Sequence, residues 1–194
     1  MKKNLLRKFV YLILFVLLAG CFIYISEKYK DNSKERIITI NDYYKELDKE
    51  TYEVIGGSKF ISLIKKGKNV IIIGSNTSKW ANEYVKYVNE VIEELDIDKV
   101  YYYDINNDKA QKNSNYYEIK NLLKGSLTST DGSNSNLLAP SFYIIENNKV
   151  LYYNTETVAM KNTETPAEYW QEDVKNEFFT EITNALIKYY LNKE

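Results

Sequence analysis

The chain has 194 residues, 44% of them hydrophobic, and a formal net charge of −1. That is apolar material for one ordinary core, with too little charge of either sign to attract nucleic acid or to gather cations. It has no histidine and one cysteine, which removes the commonest general base, every Ser–His or Cys–His pair and the usual Cys/His zinc set.

At the amino terminus Lys2, Lys3, Arg7 and Lys8 precede an apolar run over 9–25, after which Glu27, Lys28, Lys30 and Asp31 restore polarity. A basic start followed by an unbroken apolar stretch reads as an export signal or an anchor whose basic end stays in the cytoplasm. As a helix this run is about 25 Å long. That is slightly short of the ~30 Å hydrocarbon core, and it spans if the flanking lysines snorkel. Leu18-Ala19-Gly20-Cys21 also resembles the lipobox of bacterial lipoproteins, cleaved before a lipidated cysteine. Lipoproteins turn polar after that cysteine, whereas Phe22, Ile23, Tyr24 and Ile25 here stay apolar. Three readings stay open: a lipoprotein lipidated on Cys21, an uncleaved anchor, or a buried apolar helix. Either of the first two puts everything after about residue 30 outside the cytoplasm. The chain then divides into a signal or anchor over 1–25, a charged tether over 26–36 and one domain over 37–194.

Within that domain, Ile40, Tyr43, Tyr44 and Leu47 stand at helical spacing and predict a short helix over 37–50. Residues 52–55 predict a short strand stopped by Gly56 and Gly57. Ser58 is placed to cap a helix carrying Phe60, Ile61, Leu63 and Ile64, closed by Gly67. The wholly apolar run 69–75 (NVIIIGS) predicts a central strand covered on both faces. Trp80, Tyr84, Val88, Val91, Ile92 and Leu95 then recur at steps of three and four, the strongest helix signal in the chain. A second buried strand follows over 99–105 and a helix over 116–124. A Ser/Thr/Gly/Asn-rich loop over 125–136 reads as an insertion. Ala139-Pro140 leads into a strand over 141–146, an Asn147-Asn148 turn suited to positive φ, and a strand over 149–154. After an irregular stretch, 170–191 predicts a closing helix with Val174, Phe178, Ile182, Leu186 and Tyr189 or Tyr190 inward. The 19 tyrosines, with many Lys, Asn and Ile, read as the habit of an AT-rich genome.

Three pieces in this order, the strand running into a turn and long helix (NVIIIGSNTSKWANEYVKYV), the strand KVYYYDINND, and APSFYIIENNKVLYYN, resemble the thioredoxin-like superfamily. The thioredoxin-like accessory proteins of bacterial bacteriocin export look nearest. The resemblance covers 69–154 and implies an α/β, three-layer fold with a central mixed sheet and flanking helices. It also implies a cis-proline loop at Ala139 and Pro140, beside the turn after the first central strand. In that family the turn carries Cys-x-x-Cys, where helix N–H groups lower the first thiol's pKa and the second thiol resolves the mixed disulfide. Laid on this chain, the turn is Thr77-Ser78-Lys79-Trp80-Ala81, and both thiol positions are filled by Ser78 and Ala81. A serine hydroxyl there does not ionise, so Ser78 and Thr77 read as helix caps. Trp80 reads either as a hydrophobic lip of a groove or as core.

The leading expectation is a redox-inactive thioredoxin-like domain, attached to the membrane through its N-terminal segment or a lipid on Cys21. It binds a protein or exported peptide through a groove between the degenerate turn and the Ala139-Pro140 loop, by strand addition to the main chain of Ala139. No cofactor, metal or nucleic acid is expected. Two alternatives stand beside it. One is a thiol–disulfide oxidoreductase whose cysteines have been replaced by Ser78 and Ala81. The other is carboxylate catalysis through Glu93 with Glu94 or Asp104 with Asp108, positions that solvated helix faces and strand ends ordinarily fill with charge.

Overall fold

Val70, Ile71, Ile72 and Ile73 are all closed to solvent, and because strand side chains alternate, they demand a layer on each side of the chain. In the computed structural model, which describes residues 38–127, 136–156 and 165–191, they form the middle of β2, Lys68–Gly74. Val70 and Ile72 enter one apolar cluster and Ile71 and Ile73 the other. Full burial of each such side chain contributes roughly 1.5–3 kcal/mol, so this strand anchors both cores.

Around β2 stand β1 (Tyr52–Val54), β3 (Val100–Asp104), β4 (Ser141–Glu146) and β5 (Lys149–Asn154), in the order β1-β3-β2-β4-β5. β1, β3 and β2 are parallel, and β4 and β5 run antiparallel to their neighbours. The parallel strands are joined by helices, as crossovers require. Helix α1 (Gly57–Lys65) links β1 to β2, and α2 (Lys79–Glu94) links β2 to β3. After β3 come α3 (Asn106–Gln111) and α4 (Ser114–Leu122). After β5 come α5 (Pro166–Tyr169) and α6 (Glu172–Leu186), which runs into a π turn over Ile187–Leu191.

One face of the sheet packs Val70, Ile72, Tyr102 and Phe142 against Tyr84, Val88 and Ile92 of α2 and Phe178, Ile182 and Leu186 of α6. The other packs Ile71, Ile73, Tyr103 and Ile145 against Phe60 and Ile64 of α1 and Tyr116 and Ile119 of α4. A mixed five-stranded sheet with helices on both faces is consistent with a thioredoxin fold. The hairpin turn has the positive φ that its asparagines predict, 44° at Asn147 and 68° at Asn148. It also closes α1. Asn148 N–H donates to the carbonyl of Ile64 (2.7 Å), and the Asn69 amide donates to those of Leu63 (2.8 Å) and Lys66 (2.9 Å). Carbonyls that a helix end leaves unpaired are thereby satisfied.

Several elements differ from expectation. The helix expected over 37–50 is a single 3-10 turn, Ile40–Asp42. The Asn41 side chain donates to the carbonyls of Lys45 (3.2 Å) and Leu47 (2.8 Å) and so competes with helix propagation. Ile40, Tyr44 and Leu47 are nonetheless buried. Ser58 lies inside α1, whose N-cap is Gly56. Helix α3 was not expected. Trp170 ends α5 instead of opening the last helix, because Gln171 is extended (φ −74°, ψ 167°). The apolar run 9–25 with Cys21, the tether 26–36 and most of the 125–136 loop lie outside the described residues. Among the described residues no helix is long and apolar enough to cross a membrane.

Candidate functional site

β2 pairs with β4 up to Ile73 opposite Ser141. In an antiparallel pair the residues just after one strand lie beside those just before the other. The register therefore sets the turn after Gly74 next to Pro140. The Ala139–Pro140 peptide bond is cis. Its loop is pinned from two sides: Thr155 Oγ1 donates to the Pro140 carbonyl (2.9 Å), and Ser141 Oγ donates to that of Leu138 (2.8 Å). Ala139 is half-buried, and its own N–H and C=O enter no backbone hydrogen bond among the described residues.

The turn is built from hydroxyls and amides. Ser78 is the N-cap of α2, its Oγ accepting from the Ala81 N–H at 3.3 Å. Thr77 is not a cap. Its hydroxyl lies 3.3 Å from Ser75 Oγ, and Asn106 Nδ2 reaches it at 3.5 Å. Asn106 also donates to Asn76 Oδ1 (3.0 Å) and accepts from Ser75 Oγ (3.0 Å), while its N–H donates to Asp104 Oδ1 (2.9 Å). Asn106 thus ties the turn to the end of β3, a role no periodicity in the sequence marks. Lys79 is exposed, and Ala81 is fully buried.

Trp80 is half-buried and meets the edge of Tyr169 with ring centroids 5.8 Å apart. Helix α5 leans on it through that contact. The Tyr169 hydroxyl in turn bonds Glu156. Behind them Asn154 accepts from the Tyr84 hydroxyl (2.8 Å) and donates to Glu156 (3.2 Å) and Glu181 (3.1 Å). One wall of the site is therefore made by Thr155, Glu156 and Tyr169, none of which sequence reasoning singled out. The irregular stretch between β5 and α5 carries no pattern that would have marked them.

Neither thiol position carries sulfur or a free hydroxyl. The hydroxyl at position 78 serves as a helix acceptor, and position 81 presents a buried methyl group. Of the carboxylates in the two acidic pairs, Glu93 accepts from Asn89 (2.8 Å), and Asp108 accepts from the Tyr103 hydroxyl (2.6 Å) and the Asn113 amide (2.5 Å). Burial, then the bond to Asp108, drives the Tyr103 pKa upward. No group of His, Cys, Asp and Glu able to hold a metal occurs among the described residues.

No protein-family model and no curated protein matches this chain. Among solved structures, a yeast mitochondrial 1-Cys peroxiredoxin, studied for thiol resolution via glutathione and thioredoxin systems, matches with a TM-score of 0.35 and 12% identity. The match covers 58% of this chain and 85% of that one. A likeness at that level carries no residue-level correspondence, and the site is read from its own geometry.

Proposed function

We propose that this chain is a redox-silent thioredoxin-like domain, held outside the cytoplasmic membrane by its N-terminal segment, that binds an extended protein segment or exported peptide. Its sequence resembles the thioredoxin-like accessory proteins of bacteriocin export. The bound segment lies between the turn 75–81 and the loop 138–140, with Trp80 and Tyr169 as its aromatic flank. The observation that carries this reading is the register of β2 on β4. It sets a turn without sulfur against a loop whose Ala139 peptide groups have no backbone partner among the described residues. Backbone donors and acceptors left at the margin of a sheet are what an added strand pairs with.

Photo-crosslinking on intact cells tests it. A photoreactive residue at position 76 or 139 should give a discrete adduct that the same residue at exposed Lys59, on α1, does not. Trp80→Ala, assayed at a temperature where the variant remains folded by circular dichroism, should weaken the adduct several-fold. Equal labelling from all three positions would remove the groove as the contact surface.

A further inference from the structure

The two edges of the sheet are built differently. β1 is three residues long and carries Glu53, which pairs with Lys99 just before β3 (3.2 Å). A short, charged strand is how natural proteins blunt a free edge. β5 is six residues long and is hydrogen-bonded on one side only, to β4. Beyond that ladder, no backbone hydrogen bond joins 149–154 to another described residue. Val150, Leu151, Tyr152 and Tyr153 bring this edge neither charge nor proline. A cleft of about 410 Å³ runs beside 148–153, and Leu122, Leu123, Gly125 and Ser126 face the strand across it.

The residues of β5 are self-complementary. Between Ile144 and Ile145 the pairing with β4 skips Leu151, a bulge. Leu151 and Tyr152 therefore both pack toward the α2 and α6 side of the sheet. Val150 packs toward the α1 and α4 side, where the Tyr153 ring is stacked on Tyr143 with centroids 6.3 Å apart. The order of faces thus reads the same from either end of the strand. The charges at the two ends are opposite. Lys149 is exposed at the start, and at the end the Asn154 amide donates to Glu156 (3.2 Å) and Glu181 (3.1 Å). Lys149, Glu156 and Glu181 make no ion pair among the described residues. Glu146, opposite Lys149 across the hairpin, already pairs with Lys68 (3.6 Å).

We propose that a second copy of this chain pairs with β5 along this edge, antiparallel about a two-fold axis, joining two sheets into one. Antiparallel pairing sets the start of each strand against the end of the other. Centred between Leu151 and Tyr152, it puts Val150 opposite Tyr153 on one face and Leu151 opposite Tyr152 on the other, apolar cross-strand pairs. It also brings each Lys149 beside the other copy's Asn154, within reach of Glu156 and Glu181, and symmetry makes this contact twice. An unrelated extended peptide would have to supply both charges at the right ends; a second copy already carries them. This inference does not depend on the groove at Pro140.

Thiols report the register. In intact cells expressing the full chain, Val150→Cys with Tyr153→Cys should give a disulfide-linked dimer on mild oxidation, several-fold more than the parent or either single variant. Within one chain the two positions are roughly 10 Å apart, too far to bridge. Sedimentation of the full chain in mild detergent is a second readout that needs no new thiol. The parent should run as a dimer, Lys149→Glu as a monomer at the same concentration, and Lys149→Glu with Glu181→Lys should return toward the dimer. The proposal is overturned if the double-cysteine chain, folded by circular dichroism, links no more than either single variant or links to a different protein. It is equally overturned if the parent sediments as a monomer, if Lys149→Glu leaves the dimer intact, or if Glu181→Lys restores nothing.

Discussion

At Gly74 the backbone of β2 runs against a side chain of the neighbouring strand. A Cβ there would fall on the ring and hydroxyl of Tyr102. Tyr102 has no room to retreat. Tyr43 and Tyr44 each hold its ring at 5.6 Å between centroids, and its hydroxyl lies 3.1 Å from that of Tyr44 in the buried core. Gly74→Ala should therefore cost about 1–3 kcal/mol, the usual range for forcing an extra carbon into a packed interior. A lowered urea midpoint at unchanged slope would read it. Adding Tyr102→Val should cost less than the sum of the two single changes, since both contend for one volume. Strict additivity would mean that the added methyl meets something else. In the sequence this glycine reads only as the end of an apolar run, because nothing local names the side chain lying across it.

The first turn of α2 is the element on which the functional argument turns. Ser78 and Ala81 stand three residues apart, at N-cap and in the first turn, on neighbouring positions of one face about 5–6 Å apart between Cβ atoms. A disulfide needs Cβ atoms about 3.5–4.5 Å apart, so closure takes an inward shift of the N-cap residue, whose backbone is not yet helical. Ser78→Cys with Ala81→Cys should close a bridge on oxidation, identified by mass in the peptide spanning both positions. The thiol at position 78 should titrate below the ordinary cysteine value, because it faces the helix N-terminus. A pair that stays reduced under strong oxidant would mean that this turn does not correspond to the Cys-x-x-Cys turn of the family the sequence resembles. The strand–turn–helix unit and the loop before β4 were legible because each has a pattern: an apolar run, a change of period, a proline before a hairpin. Asn106 and α3 were not, since a short polar helix that buries no apolar residue leaves no periodic trace. The opposite error occurred at 37–50, where helical spacing of apolar residues reported which side chains are buried and not how the backbone runs. Ser58 shows the same weakness at an end: a good capping residue lies in the first turn, while Gly56 takes the cap.

Across the whole molecule the tyrosines, which composition alone suggested were incidental, prove to be structural material. Tyr44, Tyr52, Tyr84, Tyr102, Tyr103 and Tyr143 are buried in the two clusters on either side of the sheet. Burial pushes Tyr44 up to about 12, partly offset by its bond to Tyr102, and Tyr143 up to about 12, partly offset by the nearby Ser141 hydroxyl. Desolvation likewise raises Tyr52, Tyr84, Tyr102 and Tyr103. A group whose pKa is higher in the folded than in the unfolded state holds its proton more tightly when folded. Its contribution to stability is then complete below the unfolded value near 10 and is lost as pH climbs toward the folded one. Each tyrosine still protonated in the native state and ionised in the unfolded chain lowers stability by about 1.4 kcal/mol per pH unit in that window. Several act at once, so these groups should leave urea stability level from neutral pH to about 10 and then make it fall steeply. Tyrosinate absorbance, followed in the same titration, should rise in two stages, the buried rings ionising only with loss of the fold. A single smooth rise, with the fold intact beyond it, would mean that the buried hydroxyls are hydrated and that the two clusters are looser than this packing requires.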